Sequence, residues 1–470
     1  MTDFDLAVIG SGASGLSVTA VAAQLGLSVA LIERGRMGGD CLNYGCVPSK
    51  ALLAAAHAAQ AARTASRYGV KLPEPEIEWS QVRAHVHGAI AAIAPSDSEA
   101  RYTALGATVM RDHARFVAPD ALDVGGQRMT ARRIVVAAGS RAAVPDIPGL
   151  RDLPFLTNET LFDLEERPAH LLILGGGPIG LEMAQAHAGL GCRVTIIEAE
   201  RIAAKEDEEL AAGLRSVLEG EGVRLIEGAS VTAVRPGPEL VLEDGRVLKG
   251  SHLLLATGRR PNIEDLGLDA GEVRATAAGI ATDRGLRSLT NRRVYAVGDI
   301  ADPQGVGPRA FTHVGSYHAG IVIRRALFRL PARIDYAALP RVTYTAPELA
   351  QAGLTEREAR AAGHAVSALR WPMSENDRAI AEGDVTGLVK LVVARGRLLG
   401  AGILAPHAGE MIGQWVAAIG RRIPLSAMSE LIIPYPTRSE AGRRAAGSFY
   451  APRLFSEPSK RVVRLLSRLP

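Results

Sequence analysis

Ile9–Gly15 reads IGSGASG and is followed at Leu25–Glu33 by LGLSVALIE; in mid-chain Leu174–Gly180, LGGGPIG, is followed at Leu190–Glu198 by LGCRVTIIE. Gly10 and Glu33 lie 23 positions apart, as do Gly175 and Glu198, and the helix-ending glycines Gly26 and Gly191 each fall 16 positions after the first. Each copy is an apolar strand, a glycine turn, an Ala-rich helix and a second apolar strand ending in glutamate. That order predicts two βαβ units with parallel strands. Gly10, Gly12 and Gly15 allow a tight turn, a close approach of backbone to a pyrophosphate and close helix–strand packing, with the helix N-terminus facing the phosphates. Glu33 would accept hydrogen bonds from ribose hydroxyls. Gly175, Gly177, Gly180 and Glu198 repeat the set, so two dinucleotides are expected. A carboxylate at Glu198 welcomes a free 2′-hydroxyl and repels a 2′-phosphate, which favours NADH over NADPH. Arg193 and Arg201, close in sequence, could soften that preference.

The rest of the chain bounds the answer. Its 470 residues exceed what one hydrophobic core usually fills, and 47% apolar with 22% charged residues is a globular balance. The net charge of +4 is spread along the chain, and no aromatic-plus-basic platform argues for nucleic acid. The apolar run Phe4–Ile9 leads directly into Gly10, so it reads as a strand rather than a secretory signal. No run of about 18 uncharged apolar residues predicts a membrane span, and a cytoplasmic location is expected. Two further strand-then-glycine segments lie between and after the repeats, Arg133–Ser140 (RIVVAAGS) and His252–Asn262 (HLLLATGRRPN), and strand Val294–Val297 ends in Gly298–Asp299. From about Tyr336 the pattern alternates, as in RVTYTAPELA and GLVKLVVARGRLLGAGIL, which predicts antiparallel strands with helices in a third, α+β domain.

Of three cysteines, Cys41 and Cys46 stand five apart at the head of an Ala-rich stretch expected to be helical to about Ala62. A helix N-terminus favours thiolate through the macrodipole. On a regular helix, residues five apart have Cα atoms about 8.6 Å apart, whereas a disulfide tolerates at most about 6.8 Å. The first turn must therefore be distorted. Gly45 supplies flexibility, and Pro48 lacks the N–H that would hold the Tyr44 carbonyl. A strained, accessible disulfide is easily reduced, so the pair reads as redox-active. Cys192 reads as packing, and no metal-ligand set is expected.

With these residues in place the chain resembles the pyridine nucleotide–disulfide oxidoreductases, and among them dihydrolipoamide dehydrogenases and mercuric reductases. The resemblance runs through GSGASG, GGDCLNYGCVPSK, AAGS, GGGPIGLE, ATGRRPN, VYAVGDIA, YTAPELAQAGLTE and YPTRSE, which together span the chain. It implies an α/β fold with two Rossmann-like domains, for FAD and NAD, and a C-terminal α+β dimerisation domain. The implied boundaries are 1–145 and 268–335 for the two parts of the FAD domain, 146–267 for the NAD domain and 336–470 for the interface domain. The resemblance sets Cys46 against the flavin and makes Cys41 the thiol that exchanges with substrate. Lys50 would sit at the flavin N5 edge, paired with Glu182, and Asp299 would bind the ribityl chain. Gly39, Ala114, Gly139 and His313 would border FAD, and Gly258 belongs to the same cofactor-binding set. A homodimer is implied, with each C-terminal domain completing the partner's active site.

One departure matters. Where dihydrolipoamide dehydrogenases carry a His-Pro-Thr segment whose histidine is the general base, this chain reads Tyr435-Pro436-Thr437-Arg438-Ser439-Glu440. The glutamate of that motif is kept. A phenol with pKa near 10 is about 99.9% protonated at neutral pH, so Tyr435 is a poor base and a better proton donor. Electron flow toward an acceptor is favoured. The resemblance to mercuric reductases is incomplete: their vicinal C-terminal cysteines are not found, and the additional N-terminal metal-binding domain that they often carry is not expected here. Three readings stand: a disulfide reductase acting on a lipoyl-type acceptor, a metal-ion or quinone reductase, and a slowly turning flavin-binding sensor. The tail Ser459–Pro470 places Val462, Leu465, Leu466 and Leu469 on one helical face, with Lys460, Arg461, Arg464 and Arg468 mostly off it. It could touch an anionic membrane or pack on its own dimer.

Overall fold

The computed structural model describes residues 2–469, so Pro470 of the predicted tail lies outside the described residues. The chain divides into two compact units. One runs to Gly175 and adds Gly189–Arg193 and Val231–Ile334; the other takes Gly176–Ala188, Val194–Ser230 and the chain from Asp335 onward.

In the first unit a parallel sheet is built around strand Phe4–Ile9, which pairs with Val29–Ile32 on one side and with Gln127–Val136 on the other. Ala107–Met110 extends one edge and Val294–Ala296 the other. Apart from Phe4 and the edge residues Val109 and Met110, their apolar side chains are buried, as suits a parallel sheet. Strand order reverses at Phe4–Ile9, so a crevice opens beyond its carboxyl end, where the Gly10 turn lies. Helix Ala13–Gln24 follows that turn and stops before Gly26, whose φ of 80° gives the left-handed end that glycine favours. Strands His170–Leu174 and His252–Leu255 pair in parallel within the same unit.

The second unit carries the parallel pair Thr195–Glu198 and Arg224–Glu227. It also carries the antiparallel sheet foreseen from the alternating pattern, in the order Pro340–Thr343, Glu348–Gly353, Arg397–Ala405, Leu388–Ala394, Ser367–Pro372. Helices pack on this sheet around the buried Trp415, and helix Glu440–Ser448 contributes Ala441, Ala445 and Ala446, all fully buried. Lys390 is only 5% exposed and is held by Asp207, Glu209 and Glu356 at 2.9–3.0 Å. Burial works against its charge, but the three carboxylates outweigh it and raise its pKa. They tie the start of helix Glu208–Gly220 to strand Leu388–Ala394.

Candidate active site

The two glycine turns are built alike. Gly10 has φ 106° and a Cβ there would lie 2.4 Å from the Ala137 carbonyl oxygen; Gly175 has φ 114° and would meet the Ala256 oxygen at 2.4 Å. Only glycine fits either place. Ala137 donates its N–H to Ile9 and Ala256 donates to Leu174, each at 2.8 Å, so AAGS and ATGR are equivalent closing strands of the two repeats. Gly139 and Gly258 end those strands with positive φ and open space around them. The acids close the turns in the same manner. Glu33 accepts from the Ser11 N–H at 2.7 Å and its hydroxyl at 2.8 Å, and Glu198 accepts from the Gly176 N–H at 2.6 Å. Arg201 is paired with Glu208.

The first turn fits a dinucleotide pyrophosphate. Gly12 caps helix Ala13–Gln24 without any side-chain acceptor for the helix's first N–H groups, and a Cβ on Gly12 would find nothing nearer than Gly39 Cα at 4.0 Å. Gly15 packs on Gly10 so closely that a Cβ would lie 1.9 Å from its oxygen. A bare backbone with unengaged donors is what a phosphate takes up. Gly39 must also be bare, because its Cβ would stand 2.6 Å from Gly12 Cα. That contact sets the cysteine segment against the turn. Ala114, 2% exposed, begins strand Ala114–Ala118 of a hairpin that continues from Gln127–Val136.

The helix break demanded by a Cys41–Cys46 pair is present. Cys41 belongs to a short helix, Gly39–Asn43, and Cys46 opens a separate one, Cys46–Thr64. Between them Tyr44 (φ −140°, ψ 0°) and Gly45 (φ −125°, ψ −112°) leave helical geometry. A Cβ on residue 45 would come within 3.1 Å of the Asp40 oxygen and 3.3 Å of Cys41 Cα. The Tyr44 carbonyl, which Pro48 cannot serve, accepts from Asn158 Nδ2 at 3.3 Å. The two cysteines are thiols rather than a disulfide. The Cys46 sulfur, through its hydrogen bond, and then burial push the Cys41 thiol far above its ordinary range. The dipole of a 19-residue helix meanwhile favours negative charge at its first residue, Cys46. Thr312 Oγ1 lies 3.4 Å from Cys46 Sγ. Lys50 follows Cys46 by one turn on the same face, with Nζ 3.4 Å from Ser49 Oγ. Cys192 is buried, and burial pushes its thiol up to about 11, as suits a packing residue.

Asp299 sits at the sheet's end in the turn Gly298–Ile300, where burial raises its pKa. It accepts from Ser140 Oγ at 2.5 Å, and Arg259 approaches it at 3.7 Å. The same guanidinium reaches Asp40 at 3.2 Å, and Asp40 also accepts from Asn158 at 2.8 Å. One chain of polar contacts therefore joins Asp299 to the residue beside Cys41. His318, fully buried, accepts the Gly298 N–H on Nδ1 at 3.1 Å, and burial pushes its pKa down to about 4, so it is neutral at pH 7. His313 stacks on Phe311, centroids 5.2 Å apart, at the uncapped start of helix Thr312–Val322. Thr312, Ser140, Arg259, Asp40, Asn158 and His318 had not been singled out. Ser140, Arg259 and Asp40 stand inside quoted motifs, but their contacts are far off in sequence.

The second unit carries the remaining predicted residues. Glu182, 5% exposed on helix Pro178–Gly189, accepts from the Tyr344 N–H at 2.9 Å. Gly177 has open space around it and Gly180 is buried one turn into that helix. Glu440, 6% exposed, begins helix Glu440–Ser448 with Arg443 at 3.5 Å. Tyr435 is 68% exposed and donates its hydroxyl to Asp377 at 3.0 Å, and this contact raises its pKa above the ordinary phenol value.

Known proteins share this architecture. The profile of the pyridine nucleotide-disulphide oxidoreductases matches residues 4–321, and that of their dimerisation domain matches 339–446. A mercuric reductase of Streptomyces lividans is 37% identical over 466 residues, which cover 95% of this chain and 96% of the relative. A dihydrolipoyl dehydrogenase of Thermus scotoductus is 32% identical over 486 aligned positions, spanning the whole of both chains. The Cu(II) complex of the HOCl-induced flavoprotein disulfide reductase RclA from Escherichia coli superposes with a TM-score of 0.83 at 26% identity, over 93% of this chain and 98% of that one.

Proposed function

The chain belongs to the pyridine nucleotide-disulphide oxidoreductase family, and from that premise we propose that it takes electrons from NADH, by way of FAD, to Cys41–Cys46 and on to a disulfide-type acceptor such as a lipoyl group. Membership makes it an FAD-dependent, NAD(P)H-using oxidoreductase, and its dimerisation domain makes it a homodimer. The observation that carries the finer reading is the break at Tyr44–Gly45, which brings two cysteines of adjoining helices within hydrogen-bonding reach. The segments 1–145 and 268–335 would hold FAD, 146–267 NADH, and 336–470 the partner subunit. A cytoplasmic setting, where thiols are kept reduced, goes with this reading.

When bound, FAD supplies a two-electron relay between nicotinamide and sulfur. Gly10, Gly12, Gly15, Gly39 and Glu33 would seat its adenosine and pyrophosphate, with Ala114, Gly139, Asp299 and His313 along its length and Lys50 at its N5 edge with Glu182. Gly175, Gly177, Gly180, Glu198 and Gly258 would seat NADH. Arg201, already engaged by Glu208, offers little to a 2′-phosphate, which supports NADH over NADPH. Two electrons entering the Cys41–Cys46 disulfide leave both sulfurs reduced, with negative charge favoured on Cys46 at the helix N-terminus. Cys41 passes its proton to the hydrogen-bonded Cys46 sulfur and attacks one sulfur of the acceptor. The acceptor's S–S bond breaks, a mixed disulfide forms on Cys41, and the departing thiolate takes a proton, for which the Tyr435 hydroxyl, backed by Glu440, is the candidate donor. Cys46 attacks Cys41, restores the disulfide and releases the second acceptor sulfur, to which the Cys46 proton passes.

Tyr435 also favours a second reading. With no imidazole base there, a thiophilic metal ion or quinone could be the oxidant at the same pair; one relative is named a mercuric reductase, and the RclA structure is named a Cu(II) complex. Steady-state rates with NADH and with NADPH, each against lipoamide, Hg(II), Cu(II) and quinones, separate the two. The proposal expects NADH with lipoamide to be fastest, by about tenfold or more over NADPH. Faster turnover of Hg(II), Cu(II) or a quinone would replace it with the second reading.

A further inference from the structure

The last helix, Glu457–Leu466, has no buried residue and lies beyond residue 446, where the match to the dimerisation domain ends. It is well made locally: Ser456 caps its first turn and Lys460 pairs with Glu457 at 2.8 Å. Val462, Val463, Leu465, Leu466 and Leu469 are 55–66% exposed, and Leu454 and Phe455 just ahead of the helix are 63% and 67% exposed. At helical spacing those five apolar residues fall within an arc of about 160°, and Lys460, Arg461, Arg464 and Arg468 fill about 100° of the opposite side. From Pro458 through Leu469 the sequence has no carboxylate. Among the described residues no helix is long and apolar enough to cross a membrane.

From this segregation we propose that the helix lies flat on an anionic lipid surface, its leucines and valines among the acyl chains and its cations at the headgroups. An apolar face backed by a polar face on which four cations stand against the single carboxylate of Glu457 matches both layers of such a surface. A second copy fits less well. Two of these helices meeting through their apolar faces would cover the leucines and valines but turn Arg461 and Arg464 outward, where the second copy gives them nothing to meet. Nucleic acid would engage the cations and leave five large apolar side chains in water.

Flotation of the flavin-loaded, full-length protein with phosphatidylcholine vesicles, with and without phosphatidylglycerol, tests this. The protein should float with the anionic vesicles alone and detach as salt rises. The double substitution Leu465→Asp, Leu466→Asp, at two exposed positions, should lower the bound fraction about tenfold while NADH-dependent turnover and dimer mass stay unchanged. Three results would overturn the proposal. They are no flotation at all, equal flotation of the variant (contact through charge alone), and dissociation of the dimer by the substitutions (the face belongs to a second copy).

Discussion

At position 435 a phenol stands where an imidazole would exchange protons at neutral pH, and its own surroundings deepen the difference. Asp377 accepts the Tyr435 hydroxyl, so removing that proton would set a phenolate beside a carboxylate, and the pKa rises. On the proposed path Tyr435, protonated at neutral pH, would serve poorly as a base toward a dithiol. Tyr435→His should raise the rate of dihydrolipoamide oxidation at pH 7 by about tenfold or more, read as NAD reduction. An unchanged rate would mean that the missing base does not limit that direction. Residues whose chemistry is local were legible: Cys41, Cys46 and the break between them follow from five-residue spacing, Gly45 and Pro48. The contacts that hold them were not. Asp40 meets Asn158 across 118 positions and Ser140 meets Asp299 across 159, and neither spacing leaves a local pattern.

At the scale of elements, the two glycine repeats were legible because each is a continuous strand–turn–helix–strand. Their third strands were harder to match. Ala137 follows Gly10 by far more residues than Ala256 follows Gly175, since the cysteine helix and its neighbours are inserted only in the first copy. The cysteine stretch itself reads as one helix by composition and forms two, because geometry at Gly45 overrides helix propensity. Helix Glu440–Ser448, which begins at the predicted Glu440, depends on another close approach. A Cβ on Gly442 would stand 2.5 Å from Trp415 Cζ2 in the core of the antiparallel sheet. Gly442→Ala should therefore cost about 1–3 kcal/mol, seen as a fall of several degrees in Tm. A melt indistinguishable from wild type would mean that helix and indole have room to part.

For the whole molecule, the α/β class and the α+β C-terminal segment could be read from pattern alone, since parallel strands run apolar throughout and antiparallel ones alternate. The assembly of the first sheet could not: Val294–Ala296 lies beside Ile134–Val136, a pairing set by topology rather than by neighbouring residues. That sheet holds the first glycine turn, the cysteine segment and Asp299 within one unit, and on this the proposed electron path depends. Anaerobic titration of the flavin-loaded protein with NADH tests that path most directly. A long-wavelength thiolate-to-flavin absorption band should grow in as two electrons enter, persist in Cys41→Ser and vanish in Cys46→Ser. A flavin that bleaches directly with no such band, in wild type as in Cys46→Ser, would contradict the claim that the Cys41–Cys46 pair takes its electrons.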